Sequence, residues 1–316
     1  MSLAWLLRRV ALIALTLLVV SFLVFAATQI LPGNAAAMIL GENATPDQLA
    51  ALSRQLGLDR PWPVQYADWL AGVLRGQLGQ SLALSTPVAD LLGQALVRSL
   101  VLAGATLLVV ACVGLSLGVA GSVYRGTWVD LLVSLVATLG VALPEFVTAT
   151  LLLVFLAGPE NGLFPSGGYV PLADGVGPFL AHMALPVAAL SLVLLAHVSR
   201  QVRSEMSDVL RRDYVRTAIL KGLPRRTVLR RHALRNALAP AIAVLALDVG
   251  YLLGGILVVE EVFAWPGLGR LLVFALQNRD LPLIQAGTLL IASVYAGANL
   301  AADIAYAALD RRVQYA

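Results

Sequence analysis

Six stretches of roughly 20 or more residues pass through this chain almost without charge, and they dictate most of what it can become. They cover about residues 10–30, 100–123, 129–157, 179–198, 239–259 and 283–309. At 1.5 Å per helical residue, each is long enough to cross about 30 Å of hydrocarbon. The composition agrees: 59% of the 316 residues are hydrophobic and 13% charged, against roughly 25% charged in an ordinary soluble domain. A water-soluble fold could not hide that much apolar surface, so the expected class is an all-α membrane protein with six transmembrane helices.

The first stretch has Arg8 and Arg9 before it and Ala26-Ala27 near its end, which gives it the look of a secretory signal peptide. The five stretches that follow argue instead for an uncleaved anchor. The single cysteine, Cys112, lies inside an apolar block, so the chain has no intrachain disulfide and no cysteine-based metal site.

Orientation follows from the basic residues, because cytoplasmic loops retain Lys and Arg during insertion. With both termini inside, 16 basic residues are cytoplasmic and six external. The opposite topology would put the eleven basic residues of segment 199–238 outside. The expected organisation is therefore an N-terminus and first span (1–30), an extracytoplasmic segment (31–99), and a five-helix core (100–316) carrying the basic loop 199–238. In the external segment, a helical centre is expected from Pro46 to Leu56, and Trp62, Val64, Tyr66, Trp69 and Leu70 are expected to lie on the membrane surface.

The basic loop also holds three acids and is too polar to cross a membrane. Residues 214–221 read as a short helix with Val215, Ala218 and Ile219 on one face, followed by the break Gly222-Leu223-Pro224 and a second helix over 225–238. Three readings fit: a surface hairpin that neutralises anionic lipid, a nucleic-acid site, or a docking element for a cytoplasmic partner. Nucleic acid has the right charge to meet here, but no recognisable binding fold surrounds it.

Three acids fall in the interior of the apolar stretches, where an aspartate near a helix centre costs roughly 2.5–3.5 kcal/mol on insertion scales. Glu145 follows Pro144 in the third stretch, Asp248 sits midway along the fifth beside Tyr251, and Asp303 lies near the end of the sixth. Either Glu145, Asp248 and Tyr251 line a solute path that favours a cationic group, or each acid meets an arginine or helix backbone at a subunit contact. Gly114-x-x-x-Gly118 and Gly250-x-x-x-Gly254, with Gly255, point to close helix packing. His182, His197 and His232 are too scattered to form a metal-ligand pair, and structural or interfacial roles are expected of them. No catalytic constellation is visible. The lone lysine, Lys221, follows Leu220, so the phosphate-binding motif G-x-x-x-x-G-K-[ST] is absent.

Segment 260–280 combines Glu260, Glu261, Phe263 and Trp265 with a Pro266-Gly267 turn. It is expected to fold back at the external mouth of a pathway, with the aromatics packing and both acids meeting the solute or its delivering protein. The alternative is an interfacial anchor.

Several of these residues carry a resemblance. Arg216-Thr217-Ala218, three residues and then Gly222, with Tyr214 just before and Lys221 beside the glycine, resembles the "EAA" loop with which ABC importer permeases engage their ATPases. Arg216 stands where a glutamate usually leads, and Pro240 lies farther from the glycine than usual, both as in the peptide and nickel importer branch. The same branch is resembled by Leu31-Pro32-Gly33, by Leu56-Gly57-Leu58-Asp59-Arg60-Pro61 leading to Val64-Gln65-Tyr66, by 260–270 with Arg279-Asp280, and by Asn299-Leu300 with Asp303, Tyr306 and Asp310. Asn34 and Arg311 depart from it at loop ends.

The resemblance spans about residues 8–312 and implies a type I ABC importer permease of the bacterial inner (plasma) membrane. It also implies a second homologous permease subunit, two cytoplasmic ATPase domains that bind ATP and Mg, an extracytoplasmic solute-binding protein, and no cofactor in this chain. Di- or oligopeptides are the expected solutes. Nickel, a metal chelate or a glutathione-like solute is the alternative, and an ion-coupled secondary transporter is the rival class.

Overall fold

The computed structural model describes residues 3–30, 45–55, 59–157 and 162–309. Leu31-Pro32-Gly33, Asn34, Leu56-Gly57-Leu58, Asp310 and Arg311, singled out above, lie outside the described residues. The helices are α1 (Leu3–Ile30), α2 (Pro46–Gln55), α3 (Trp62–Leu74), α4 (Val88–Val123), α5 (Trp128–Ala142), α6 (Glu145–Leu156), α7 (Val176–Leu210), α8 (Asp213–Leu220), α9 (Arg235–Val262), α10 (Leu268–Gln277) and α11 (Leu281–Leu309). The chain divides into two compact units. One holds residues 98–266 and 297 onward, the other residues 2–97 and 267–296.

By length and composition α1, α4, α7 and most of α11 are long and apolar enough to cross a membrane. The 28-residue α9 runs through the fifth apolar stretch. The third stretch departs from expectation. Instead of one span over 129–157, the chain breaks between α5 and α6, whose axes differ by 112°. The cause is local. Pro144 cannot donate to a helix and disfavours helical backbone at Leu143, which turns extended at ψ 120°.

In the first unit α7 is the centre, against which α4, α5, α6 and α9 pack. Its buried side chains run from Leu185 to Val209 and include Leu190, Leu194, Val198 and Val202. Close approach of α4 is set by Gly118, where a Cβ would stand 2.5 Å from that of Val202. One turn earlier, a Cβ at Gly114 would meet Val198 Cγ1 at 3.2 Å. The expected small-residue packing therefore occurs on α4, whereas a Cβ at Gly254 would meet nothing within 4 Å.

In the second unit, α3 lies along α1. The Tyr66 hydroxyl shares a hydrogen bond with that of Ser21 (2.8 Å), and its ring meets Phe22 and Phe25 edge-on at 5.7 and 5.5 Å. Tyr66 and Trp69 thus cover α1, while Trp62 and Val64 remain exposed. Val88, Leu92 and Ala95 of α4 pack with Leu268, Ala275, Leu283 and Ile284. The buried Asp280 accepts hydrogen bonds from the Ser81 hydroxyl, the Ala83 N–H (3.2 Å) and the Leu283 N–H (3.3 Å), which caps α11 and holds the loop before α4.

Candidate functional site

The basic segment begins within α7, which runs on to Leu210 before the chain turns into α8. Val215 and Ala218 of α8 are buried among Met206, Val209, Val228, Ala233 and Ala237. Ile219 does not share that face. It is 59% exposed, and with Tyr214 (40%) and Leu220 (80%) it leaves α8 with an apolar outer surface. Arg216, Thr217 and Lys221 are exposed as well.

The helix ends in a Schellman motif. The Gly222 N–H donates to the Ile219 carbonyl (2.9 Å) and the Leu223 N–H to that of Ala218 (3.3 Å). Gly222 takes φ +76°, which only glycine adopts cheaply. The expected second helix over 225–238 is not a separate element. After one turn at Arg225–Thr227, a π-helical stretch, Val228–Leu234, leads directly into α9, because no helix-breaking residue separates them.

A polar cluster lies where α6, α7 and α9 meet. Glu145 opens α6, where the unpaired amides of the first turn favour a negative charge. Gly255 of α9 makes room for it: a Cβ there would stand 3.3 Å from Glu145 Oε1. Asp248, 6% exposed, has Oδ1 3.2 Å from Nδ1 of His197. The His197 ring meets the Tyr251 ring edge-on at 5.7 Å, and the Tyr251 phenol is within interaction range of both Glu145 and Asp248. The structure thus brings together the three residues marked in the sequence and adds His197, for which the sequence suggested only a structural or interfacial place.

Among the described residues, no arginine or lysine forms an ion pair with either acid. Asp130, which opens α5, does: Arg203 of α7 lies 2.7 Å from its Oδ1, and its Oδ2 accepts the Gly126 N–H at 3.0 Å. Among the described residues, no group of three or more His, Cys, Asp or Glu side chains is arranged to hold a metal.

The end of α9 corrects the reading of the 260–280 segment. Glu260 is fully buried and accepts a hydrogen bond from the Ser99 hydroxyl, whereas Glu261 is exposed. Successive helical residues point about 100° apart, so two adjacent acids cannot both face a mouth. Phe263 and Trp265 are buried too. The Trp265 indole N–H donates to the Arg98 carbonyl (3.2 Å) and the Phe263 carbonyl accepts the Gly168 N–H (2.8 Å). Tyr169 packs edge-on to Trp265 at 5.0 Å under the Arg98 guanidinium.

With this geometry in place, comparison with known proteins is decisive. Residues 110–315 match the model of the binding-protein-dependent transport system inner membrane component, and residues 2–104 match the corresponding N-terminal component. The chain belongs to this family. It is a multi-pass protein of the bacterial inner membrane and a permease subunit of a binding-protein-dependent ABC transport system, not an ion-coupled carrier.

A probable peptide ABC transporter permease of Sinorhizobium fredii is 37% identical over 98% of this chain and 99% of its own. A putative peptide transport system permease of Brucella melitensis is 38% identical over the whole of both. The glutathione transport system permease of Salmonella typhimurium is 37% identical over 95% of each. Among solved structures, the crystal structure of an amino acid ABC transporter with histidines shares the fold at a TM-score of 0.50 and 18% identity, covering 71% of this chain and 94% of that one.

Proposed function

We propose that this permease forms half of a path for di- or oligopeptides across the inner membrane, with both termini cytoplasmic and six crossings, the third of them broken at Pro144. A second, similar permease supplies the other half, and an external solute-binding protein delivers the solute. Two cytoplasmic ATPase domains bind ATP and Mg and hydrolyse the nucleotide, since this chain lacks a phosphate-binding loop of its own.

The observation that carries the mechanism is α8: anchored through Val215 and Ala218, it leaves Tyr214, Ile219 and Leu220 uncovered. An exposed apolar strip on a short, fixed helix suits docking on another protein. Movement of the ATPases then reaches α7 and α9 through the shared core around Met206 and Val228 and alternates access along the Glu145, Tyr251 and Asp248 face. Glu261 is the acid available at the external mouth. Peptides are favoured as solutes because the Sinorhizobium and Brucella relatives carry that name over nearly their entire lengths. The Salmonella relative supports a glutathione-like solute as the second reading.

The test is reconstitution of the chain with its second permease, ATPases and binding protein in proteoliposomes. Uptake of a labelled dipeptide that requires both ATP and the binding protein supports the reading. Uptake of labelled glutathione alone shifts it to the second solute, and uptake without ATPases removes it.

A further inference from the structure

The polar cluster has an excess of negative groups. Glu145 has Tyr251 beside it, and Asp248 has His197 on one oxygen only. The second oxygen of Asp248 is buried with no hydrogen-bond partner, in a residue only 6% exposed. A buried carboxylate oxygen left unpaired is unfavourable unless something offsets it. Among the described residues, no lysine or arginine does so. Beside it, Tyr251 is 46% exposed and the His197 side chain about a third exposed. Gly255 lets the Glu145 side chain lie close against α9, since a Cβ there would crowd Oε1 at 3.3 Å. Two carboxyl groups and an aromatic face therefore border one half-open position.

We propose that Glu145, His197, Asp248 and Tyr251 form a station for a protonated primary amino group of the passing solute. The ammonium would take carboxylate oxygens as acceptors and the Tyr251 ring as a cation–π surface. An anionic end group meets two carboxyl groups of like charge there. The inference rests on the pathway reading above and narrows it, because it assigns this chain a preference for solutes with a free amino terminus, apart from any selection by the binding protein.

The charge at the station can be read without knowing the solute. Leu247, 68% exposed and one helical turn from Tyr251, serves as the reporter. Leu247→Cys is placed on a Cys112→Ser background in the assembled importer, with the partner subunits stripped of reactive cysteines. It is then labelled with a cationic (trimethylammonium) and an anionic (sulfonate) thiosulfonate reagent. The cationic reagent should react about tenfold faster than the anionic one, relative to their ratio with a free thiol in solution. That excess should vanish when Glu145→Gln and Asp248→Asn are added. The first measurement leaves the cluster intact, so it holds even where the double variant fails to assemble. A rate ratio equal to that in solution, or one unmoved by the double variant, overturns the station. If neither reagent labels the cysteine, the position is not on a watery path, and the pathway reading falls first.

Discussion

Asp280 accepts the hydroxyl of Ser81 from a position 199 residues further along the chain, and the same carboxylate caps the first turn of α11. Removing the carboxylate strands three donors at once, while removing the hydroxyl strands one, the Leu84 N–H that donates to its oxygen (3.0 Å). Asp280→Ala should therefore cost about 2–4 kcal/mol and Ser81→Ala about 1 kcal/mol. Thermal unfolding of the purified complex should rank the variants in that order, and equal losses would contradict the assignment.

Gly118 tests how tightly α4 and α7 are joined. With Val202 Cβ 2.5 Å from the position a side chain would begin, even Gly118→Ala must push the helices apart, at about 1–3 kcal/mol. Gly254→Ala, which meets nothing within 4 Å, should leave the melting temperature where it was.

The docking role of α8 separates by exposure. Leu220→Asp changes a side chain that is 80% exposed, so the amount of permease in the membrane should stay the same while ATPase retained on purification falls about tenfold. Val215→Asp, at a fully buried position, should lower the permease itself. Normal ATPase retention by the Leu220 variant would move the docking surface elsewhere.

Glu260 and Glu261 should part company. Glu260→Ala leaves the buried Ser99 hydroxyl without this acceptor and should reduce assembled complex, whereas Glu261→Ala should assemble normally and lower solute uptake. Unchanged uptake across a range of solute concentrations would exclude Glu261 from delivery.

Orientation can be read with an impermeant thiol reagent on spheroplasts. Ala50→Cys should label and Arg212→Cys should not, both positions being exposed. Labelling of the second would reverse the topology and the docking argument with it.

Hydropathy alone located the long helices, because about 20 apolar residues in a row have few other uses. It ran across Pro144 because a composition window does not register one backbone constraint, although the proline itself was in view. The short basic helix was legible from its glycine-proline stop. The exposure of Ile219 was not, since i, i+3 and i, i+4 partners share a face only as wide as the neighbouring core allows. Glu145 and Asp248 stood out as acids in apolar surroundings. His197 did not, because its partner lies 51 residues away and no local pattern joins them. The burial of Glu260 depended on Ser99, which is 161 residues distant.

The 35 residues of α7 form one rod about 52 Å long. That exceeds the hydrocarbon thickness by some 20 Å, and its packed side chains run from Leu185 to Val209. Its arginine-bearing end is seated against the core under α8, and His197 sits partway along the same shaft. Pro186 removes one helix hydrogen bond near the start of α7 and gives a point where it can bend, but the packed shaft beyond it passes a push on mainly as rotation. A tilt of about 5° sweeps one end by some 4–5 Å relative to the other, roughly the rise of one helical turn. The stroke needed to open or shut a path can thus be delivered by leverage, without any helix unwinding to supply it.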